Sequence, residues 1–76
     1  MVKYTIVIEK TSDGYGAYAP DLGACGTVGS TIEEVKANMV EAIALHLSAL
    51  VADGLPIPEP ATQAAEVIVD QFSSAA

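Results

Sequence analysis

The sequence GSTIEE, at residues 29–34, has the composition of a helix start, and the rest of the chain divides around it. Two hydroxyl residues precede two glutamates, and two pairings can form a capping box. In one, Ser30 caps the helix and Glu33 is its partner. In the other, Thr31 is the cap and Glu34 the partner. Both spacings satisfy backbone N–H groups that the first turn of a helix leaves free.

The end of this helix is marked as clearly as its start. Gly54 can adopt the left-handed conformation that closes a helix, Leu55 supplies the apolar residue of that closing motif, and Pro56 prevents continuation. We therefore predict one long helix that runs from about Thr31 to Asp53.

Strand patterns lie on the N-terminal side of the helix. Apolar and polar residues alternate in VKYTIVIE, residues 2–9. One face of this strand carries Val2, Tyr4, Ile6 and Ile8. Turn residues 11–14 end at Gly14, which accepts positive φ, and a second strand follows at residues 15–19, so the two strands form a hairpin. We predict a short third strand at about residues 25–28.

After the helix, the prolines of PIPEP, residues 56–60, confine the chain to extended conformations. The alternation in AEVIVD, residues 65–70, predicts a fourth strand. The order β-β-β-α-β is that of an α+β domain in which a small, mainly antiparallel sheet packs on one long helix. A chain of 76 residues holds a single domain, residues 1–76, and we expect a frayed tail from about Ser73.

The apolar arc of the predicted helix covers more than half of its circumference, whereas packing on one sheet needs an arc nearer a third. The central face carries Ile32, Val35, Met39, Ile43, His46 and Leu50. We therefore predict a homo-oligomer in which a second subunit covers the neighbouring face. That face carries Val40, Ala44, Leu47 and Val51. The alternative is that the additional arc, rich in alanine, tolerates exposure and has no function.

The charge of the chain excludes some partners and favours others. Ten acidic residues and three lysines give a formal net charge of −7. Such a chain repels phosphate, so we predict no direct binding of nucleic acid. A basic protein is a better partner, although an acidic surface can also serve solubility alone. We see no signal peptide and expect no membrane-spanning stretch, and we therefore predict a cytoplasmic protein.

The candidates for catalysis are Cys25 and His46, the only thiol and the only imidazole of the chain. A nucleophile and its base would have to lie side by side. However, His46 falls on the core face of the predicted helix, and Cys25 falls in a strand of small residues, so we predict that both are structural. The sequence contains no metal-binding spacing and no phosphate-binding loop. We expect no catalytic residue, no metal and no cofactor.

Several stretches, in order along nearly the whole chain, resemble the N-terminal domain of the HicB-like antitoxin family. They are Tyr4 in the first strand, DGYGAYAPDL (13–22), Cys25, GSTIEEV (29–35), EAIALHL (41–47) and DGLPIPEP (53–60). The chain departs from the family in two respects. It has Gly23-Ala24 where the family usually has Pro-Gly before its cysteine, and nothing after Phe72 could encode the C-terminal DNA-binding domain of many members.

The resemblance implies a partial ribonuclease H-like fold and a binding module. In that family the antitoxin covers HicA, a small basic toxin that cleaves RNA, and hides its active-site histidine. The ribonuclease H likeness implies no enzymatic activity here, because the first strand has Ile6 and Val7 in its middle instead of metal-binding carboxylates. The alternative function is a stand-alone homo-oligomeric regulatory or scaffold module without a toxin partner.

Three acidic residues are the best candidates for contact with a basic toxin. They are Asp21 on the Pro-Asp-Leu loop and the pair Glu33 and Glu34 at the helix start. For the two glutamates the alternative is structural, because a capping partner and a negative charge at a helix N-terminus stabilise the helix with no partner present.

Overall fold

The computed structural model describes residues 1–73. Its elements, in chain order, are strand β1 (Val7–Lys10), strand β2 (Tyr15–Tyr18), a short 3₁₀ helix (Pro20–Leu22), strand β3 (Gly26–Gly29) and helix α1 (Ile32–Ala52). The strands form one antiparallel sheet in the order β1-β2-β3. The sheet packs on α1. This confirms the predicted hairpin, the third strand and the α+β class.

Strand β1 begins later than the sequence predicts. Its first residue, Val7, pairs with Tyr18, the last residue of β2. The chain then turns away through Pro20, which has no N–H to donate to a ladder, so residues 2–6 have no strand opposite them. The predicted start at residue 2 is therefore wrong. The predicted face is confirmed in part, because three of its side chains pack against the core: Tyr4, Ile6 and Ile8.

The core between the sheet and the helix is built mostly from small and medium side chains. Its buried members are Ala17, Ala19, Leu22, Cys25, Val35 and Met39. The backbones approach closely at Gly29, where an added Cβ would stand 2.8 Å from the backbone nitrogen of Val35. Nearby, the Asn38 side-chain amide donates a hydrogen bond of 2.9 Å to the carbonyl of Val28. The first half of α1 is thus fastened to β3.

Of the two caps that the sequence allows, the structure has the second. The Thr31 hydroxyl accepts a hydrogen bond from the backbone N–H of Glu34 at 3.0 Å. The Glu34 carboxylate accepts one in return from the backbone N–H of Ser30 at 3.2 Å. One free N–H of the first turn and one just before it are therefore satisfied by side chains.

The predicted end of the helix is confirmed. Gly54 has a φ of 70° and its N–H bonds to the carbonyl of Val51, while the N–H of Leu55 bonds to the carbonyl of Leu50 at 2.9 Å. These two bonds form a Schellman motif, which satisfies carbonyl groups that the last turn leaves free.

The predicted fourth strand is not formed. Residues 65–70 lie outside any ladder, and their apolar side chains are exposed, with Ile68 96% accessible. The alternation of these residues suits a strand, but the segment pairs with neither of the two edge strands of the sheet, β1 and β3. The tail expected to fray lies, beyond Ser73, outside the described residues.

Helix α1 is only partly covered by the sheet. Two of its 21 residues, Val35 and Met39, are fully buried, and both lie in its first half. By its length and by the mean hydropathy of 1.4 in its most apolar 18-residue window, α1 would also suit a membrane span, and the expectation of no membrane-spanning stretch stays a prediction. We interpret α1 as the core helix of a sheet-and-helix domain, because it packs on the sheet and also carries the charged residues Lys36 and Glu41.

Candidate protein-binding surfaces

Asp21, predicted to contact a partner, holds the segment after the helix in place. One carboxylate oxygen accepts hydrogen bonds from the backbone N–H groups of Ala61 (3.0 Å) and Thr62 (3.1 Å). The other accepts one from the Thr62 hydroxyl at 2.8 Å. These bonds favour the ionised carboxylate, so the pKa of Asp21 lies below its ordinary value. The bonds from the two backbone N–H groups lower it most.

The N-terminal residues join the same arrangement. The Tyr4 hydroxyl donates to the carbonyl of Pro58 at 2.6 Å, and the Thr5 hydroxyl donates to the carbonyl of Thr62 at 3.0 Å. Together with the bonds of Asp21, these contacts form what we call the latch. The latch joins residues 40 to 57 positions apart in the chain.

Glu33 and Glu34 lie at the other end of the sheet. Glu34 borders an open groove of about 430 Å³ between the β1–β2 turn and the helix start. We call it the acidic groove, and its lining residues are Thr11, Asp13, Gly14, Tyr15, Val28, Gly29, Ser30 and Glu34. Glu33 is exposed in the adjoining helix turn. Two carboxylates, those of Asp13 and Glu34, therefore line one groove with a third beside it.

The three predicted contact residues do not form one cluster. Asp21 follows β2 at the end of the sheet where Tyr18 pairs with Gly26, and the glutamates follow β3 at the end where Tyr15 pairs with Gly29. The length of β2, about 10 Å, separates the two ends. Asp13 was not among the predicted residues, since only the fold of the hairpin turn brings it to Glu34.

A second groove, of about 540 Å³, lies between residues 2–6 and the middle of α1. We call it the apolar groove, and its lining residues are Val2, Lys3, Tyr4, Ile6, Lys36, Met39, Val40, Ile43, Ala44 and Leu47. Three of the four residues predicted to contact a second subunit line it. The fourth, Val51, is 62% exposed farther along the helix.

The residues considered for catalysis are not brought together as a site. Cys25 is a buried free thiol in the core, as predicted. His46 is half-buried on α1. Residues 1–73 contain no group of three or more metal-ligating side chains. The chemistry that the described surfaces offer is recognition by charge and apolar contact.

A family model described as the HicB_like antitoxin of bacterial toxin-antitoxin systems matches residues 4–75. The chain belongs to the HicB-like antitoxin family. Among its relatives, a UPF0150 protein of Synechocystis is 42% identical over 57 residues, which are 74% of this chain and 72% of that protein. A UPF0150 protein of Helicobacter pylori is 47% identical over 49 residues, or 64% of this chain and 68% of that one.

Two solved structures share the fold of this HicB-like chain. One is a chain in a structure of the HicA3 and HicB3 toxin-antitoxin complex, which is 38% identical with a TM-score of 0.68 over 79% of this chain and 70% of that one. The other is a structure of the antitoxin HicB3, with the same identity and TM-score, of whose chain the match covers 44%. The resemblance seen in the sequence motifs is thereby confirmed.

Proposed function

We propose that this HicB-like protein inhibits a small basic toxin of the HicA type by covering the surface with which that toxin binds and cleaves RNA. The observation that carries the proposal is the 38% identity, at a TM-score of 0.68, to a chain of a HicA3 and HicB3 complex. The net charge of −7 supports it, because a surface that binds RNA is basic and attracts an acidic competitor.

We assign the toxin contact to the acidic groove and to Glu33 beside it. A toxin that grips phosphate has to present lysines or arginines, and these pair with carboxylates. Asp13, Glu33 and Glu34 supply three carboxylates at one end of the sheet. Asp21 takes part indirectly, because its oxygens already accept three hydrogen bonds in the latch.

The protein acts by binding, without catalysis, in the cytoplasm where its RNA-cleaving partner would act. We further propose that these 76 residues do not bind operator DNA by themselves. Three lysines set against ten acidic residues leave too little positive charge to release counterions from a duplex. A gel shift at physiological salt would contradict this if the chain bound its own promoter at sub-micromolar concentration.

The first experiment is coexpression of the protein with the product of its neighbouring gene. We expect a small basic protein to copurify, and we expect its RNA cleavage to stop when one equivalent of this chain is added. Cleavage that continues with the chain in excess would refute the inhibitory function. A stand-alone regulatory or scaffold module without a toxin partner would instead give no copurifying basic protein.

The contact surface is then tested with the double variant Glu33→Gln and Glu34→Gln. Glutamine retains the oxygen that accepts the Ser30 N–H, so the cap survives while two charges are lost. Exposed ion pairs contribute about 0.2–1 kcal/mol each, so two of them are worth up to about 2 kcal/mol, and we expect up to about a thirtyfold loss of toxin affinity at 0.1 M salt.

The matched control is the double variant Asp53→Asn and Glu59→Gln. It removes the same charge from exposed positions away from the acidic groove. We expect it to retain toxin affinity to within about twofold, since screening at 0.1 M salt acts over about 10 Å. An equal loss in both double variants would show that only net charge matters.

A further inference from the structure

The segment after the latch has no role in the domain described so far. We call residues 63–72 the arm. Val67, Ile68 and Phe72 are 85%, 96% and 74% exposed. In the described part of the chain no hydrogen bond holds the arm. An apolar segment with an unpaired backbone is a template for pairing with another chain.

The base of the arm is fixed, and the apolar side chains of the arm are exposed. The latch fastens Ala61 and Thr62 to Asp21 and Thr5, immediately before the arm begins. The apolar side chains of the arm are therefore presented outward from a rigid base.

The apolar groove has the features of a receptor for such a segment. Its floor is the uncovered face of α1, where Val40 is 70% exposed and Ala44 is exposed beside it. One wall is formed by residues 2–6, whose backbone has no partner strand. An incoming extended segment can pair with that wall and place its side chains on the helix.

The charges of the arm and of the apolar groove are complementary. Two of the three lysines in the chain, Lys3 and Lys36, line the groove. The arm carries Glu66 and Asp70 and no basic residue. An acidic apolar segment and a lysine-bordered apolar groove therefore occur in the same molecule, which is the condition for association of two identical copies.

We propose that two copies of this chain exchange arms, each arm lying in the apolar groove of the other copy. The exchange places the arm of one copy as an additional strand beside residues 2–6 of its partner and covers Val40, Ala44 and Leu47. Extended over ten residues, the arm is about 33 Å long, enough to follow the middle of α1. The acidic groove, at the other end of the sheet, stays open.

The first test separates the charges of the arm from those of the groove. The arm variant is Glu66→Lys with Asp70→Lys, and the groove variant is Lys3→Glu with Lys36→Glu. Each variant alone has like charges on both surfaces. We therefore expect each alone to sediment as a monomer of 7.8 kDa and the wild type at twice that mass.

A mixture of the two variants should restore the dimer, because each arm then meets a groove of opposite charge. Three results would each overturn the proposal. They are dimers in either variant alone, a monomeric wild type, and a mixture that stays monomeric while both variants keep their helical circular dichroism. A wild-type monomer whose arm is protected from protease would indicate that the arm folds back on its own groove, and that also overturns it.

A cross-linking test does not depend on those charge changes. In a chain with Cys25→Ala, Ile68→Cys is mixed with a second chain that carries Val40→Cys, and a flexible bismaleimide is added. We expect a linked peptide pair that joins residue 68 of one copy to residue 40 of the other. The control replaces Val40→Cys with Val28→Cys, since Val28 is also 70% exposed but lies outside the apolar groove. Equal yields for residues 40 and 28 would contradict the exchange.

Discussion

Replacing Gly29 with alanine should destabilise the domain because of the close approach between β3 and α1. The added Cβ would stand 2.8 Å from the backbone nitrogen of Val35, 3.0 Å from its Cα and 3.2 Å from its Cβ. Two of these three atoms belong to the backbone, and Val35 is completely buried, so the contact cannot be relieved by turning a side chain. The helix start has to move away from the sheet.

Overpacking of this kind typically costs about 1–3 kcal/mol. Gly16→Ala is the matched control, because Gly16 is also a strand glycine with φ outside the left-handed region, but an added Cβ there meets nothing closer than 3.9 Å. Alanine at that position restricts the unfolded chain and should stabilise the fold by about 0.4–1 kcal/mol. The two substitutions are chemically identical and are expected to act in opposite directions.

The measurement is urea unfolding followed by circular dichroism, at one fixed protein concentration because any association adds to apparent stability. For a domain of this size 1 kcal/mol corresponds to about 4–8 °C in Tm, so thermal scans resolve the two variants. If Gly29→Ala were as stable as Gly16→Ala, the close approach of β3 and α1 would not exist in solution, and the placement of Glu33 and Glu34 relative to the sheet would have to be revised.

Three further predictions concern the cap and the latch. Thr31→Ala removes the hydroxyl that caps the helix and should lower stability by about 1 kcal/mol. Ser30→Ala should change the urea midpoint little, because Ser30 takes part in the cap only through its backbone N–H. The pKa of Asp21 is lowered in the folded state, so its hydrogen bonds stabilise the fold at pH values above the ordinary pKa of 3.8. That stabilisation is lost as the pH falls through the lower pKa of the folded state. An NMR titration that follows the carbon-13 shift of the Asp21 carboxyl group should show a midpoint below 3.8. Tyr4→Phe should retain the ring but lose the hydrogen bond to the carbonyl of Pro58, which should lower stability by about 0.5–1.5 kcal/mol. We expect faster proteolysis after residue 57 in this variant, and unchanged proteolysis would contradict the latch.

The helix could be predicted almost to the residue because its signals are local. The hydroxyl and glutamate pairs lie within four residues of one another, and Gly54 closes the helix through bonds to the turn directly before it. The sequence left two caps open, however. The choice of Thr31 over Ser30 depends on where β3 ends, at Gly29, and that end is fixed by pairing with β2.

The remaining features depend on contacts between distant residues, which leave no local signal. The start of β1 is set by the length of β2, and the alternation at residues 65–70 indicates a strand without naming its partner. The sequence places Asp21 on a loop and suggests a free carboxylate, yet its hydrogen-bond donors lie 40 and 41 residues later in the chain. Gly14 was expected for its tolerance of positive φ, but its φ is not positive; an added Cβ would instead collide with the carbonyl oxygen of Gly29.

The latch also sets the order in which a newly made chain can finish folding. The sheet and helix α1 are complete once Ala52 has been synthesised, but Tyr4 and Thr5 receive their partners only when Pro58 and Thr62 follow. Until then the first six residues, which have no ladder of their own, are held only by the packing of Tyr4 and Ile6 against the core. A chain whose synthesis stops between Ala52 and Thr62 therefore has a formed helix but lacks the complete latch at its N-terminus, and cellular proteases can degrade it from that end.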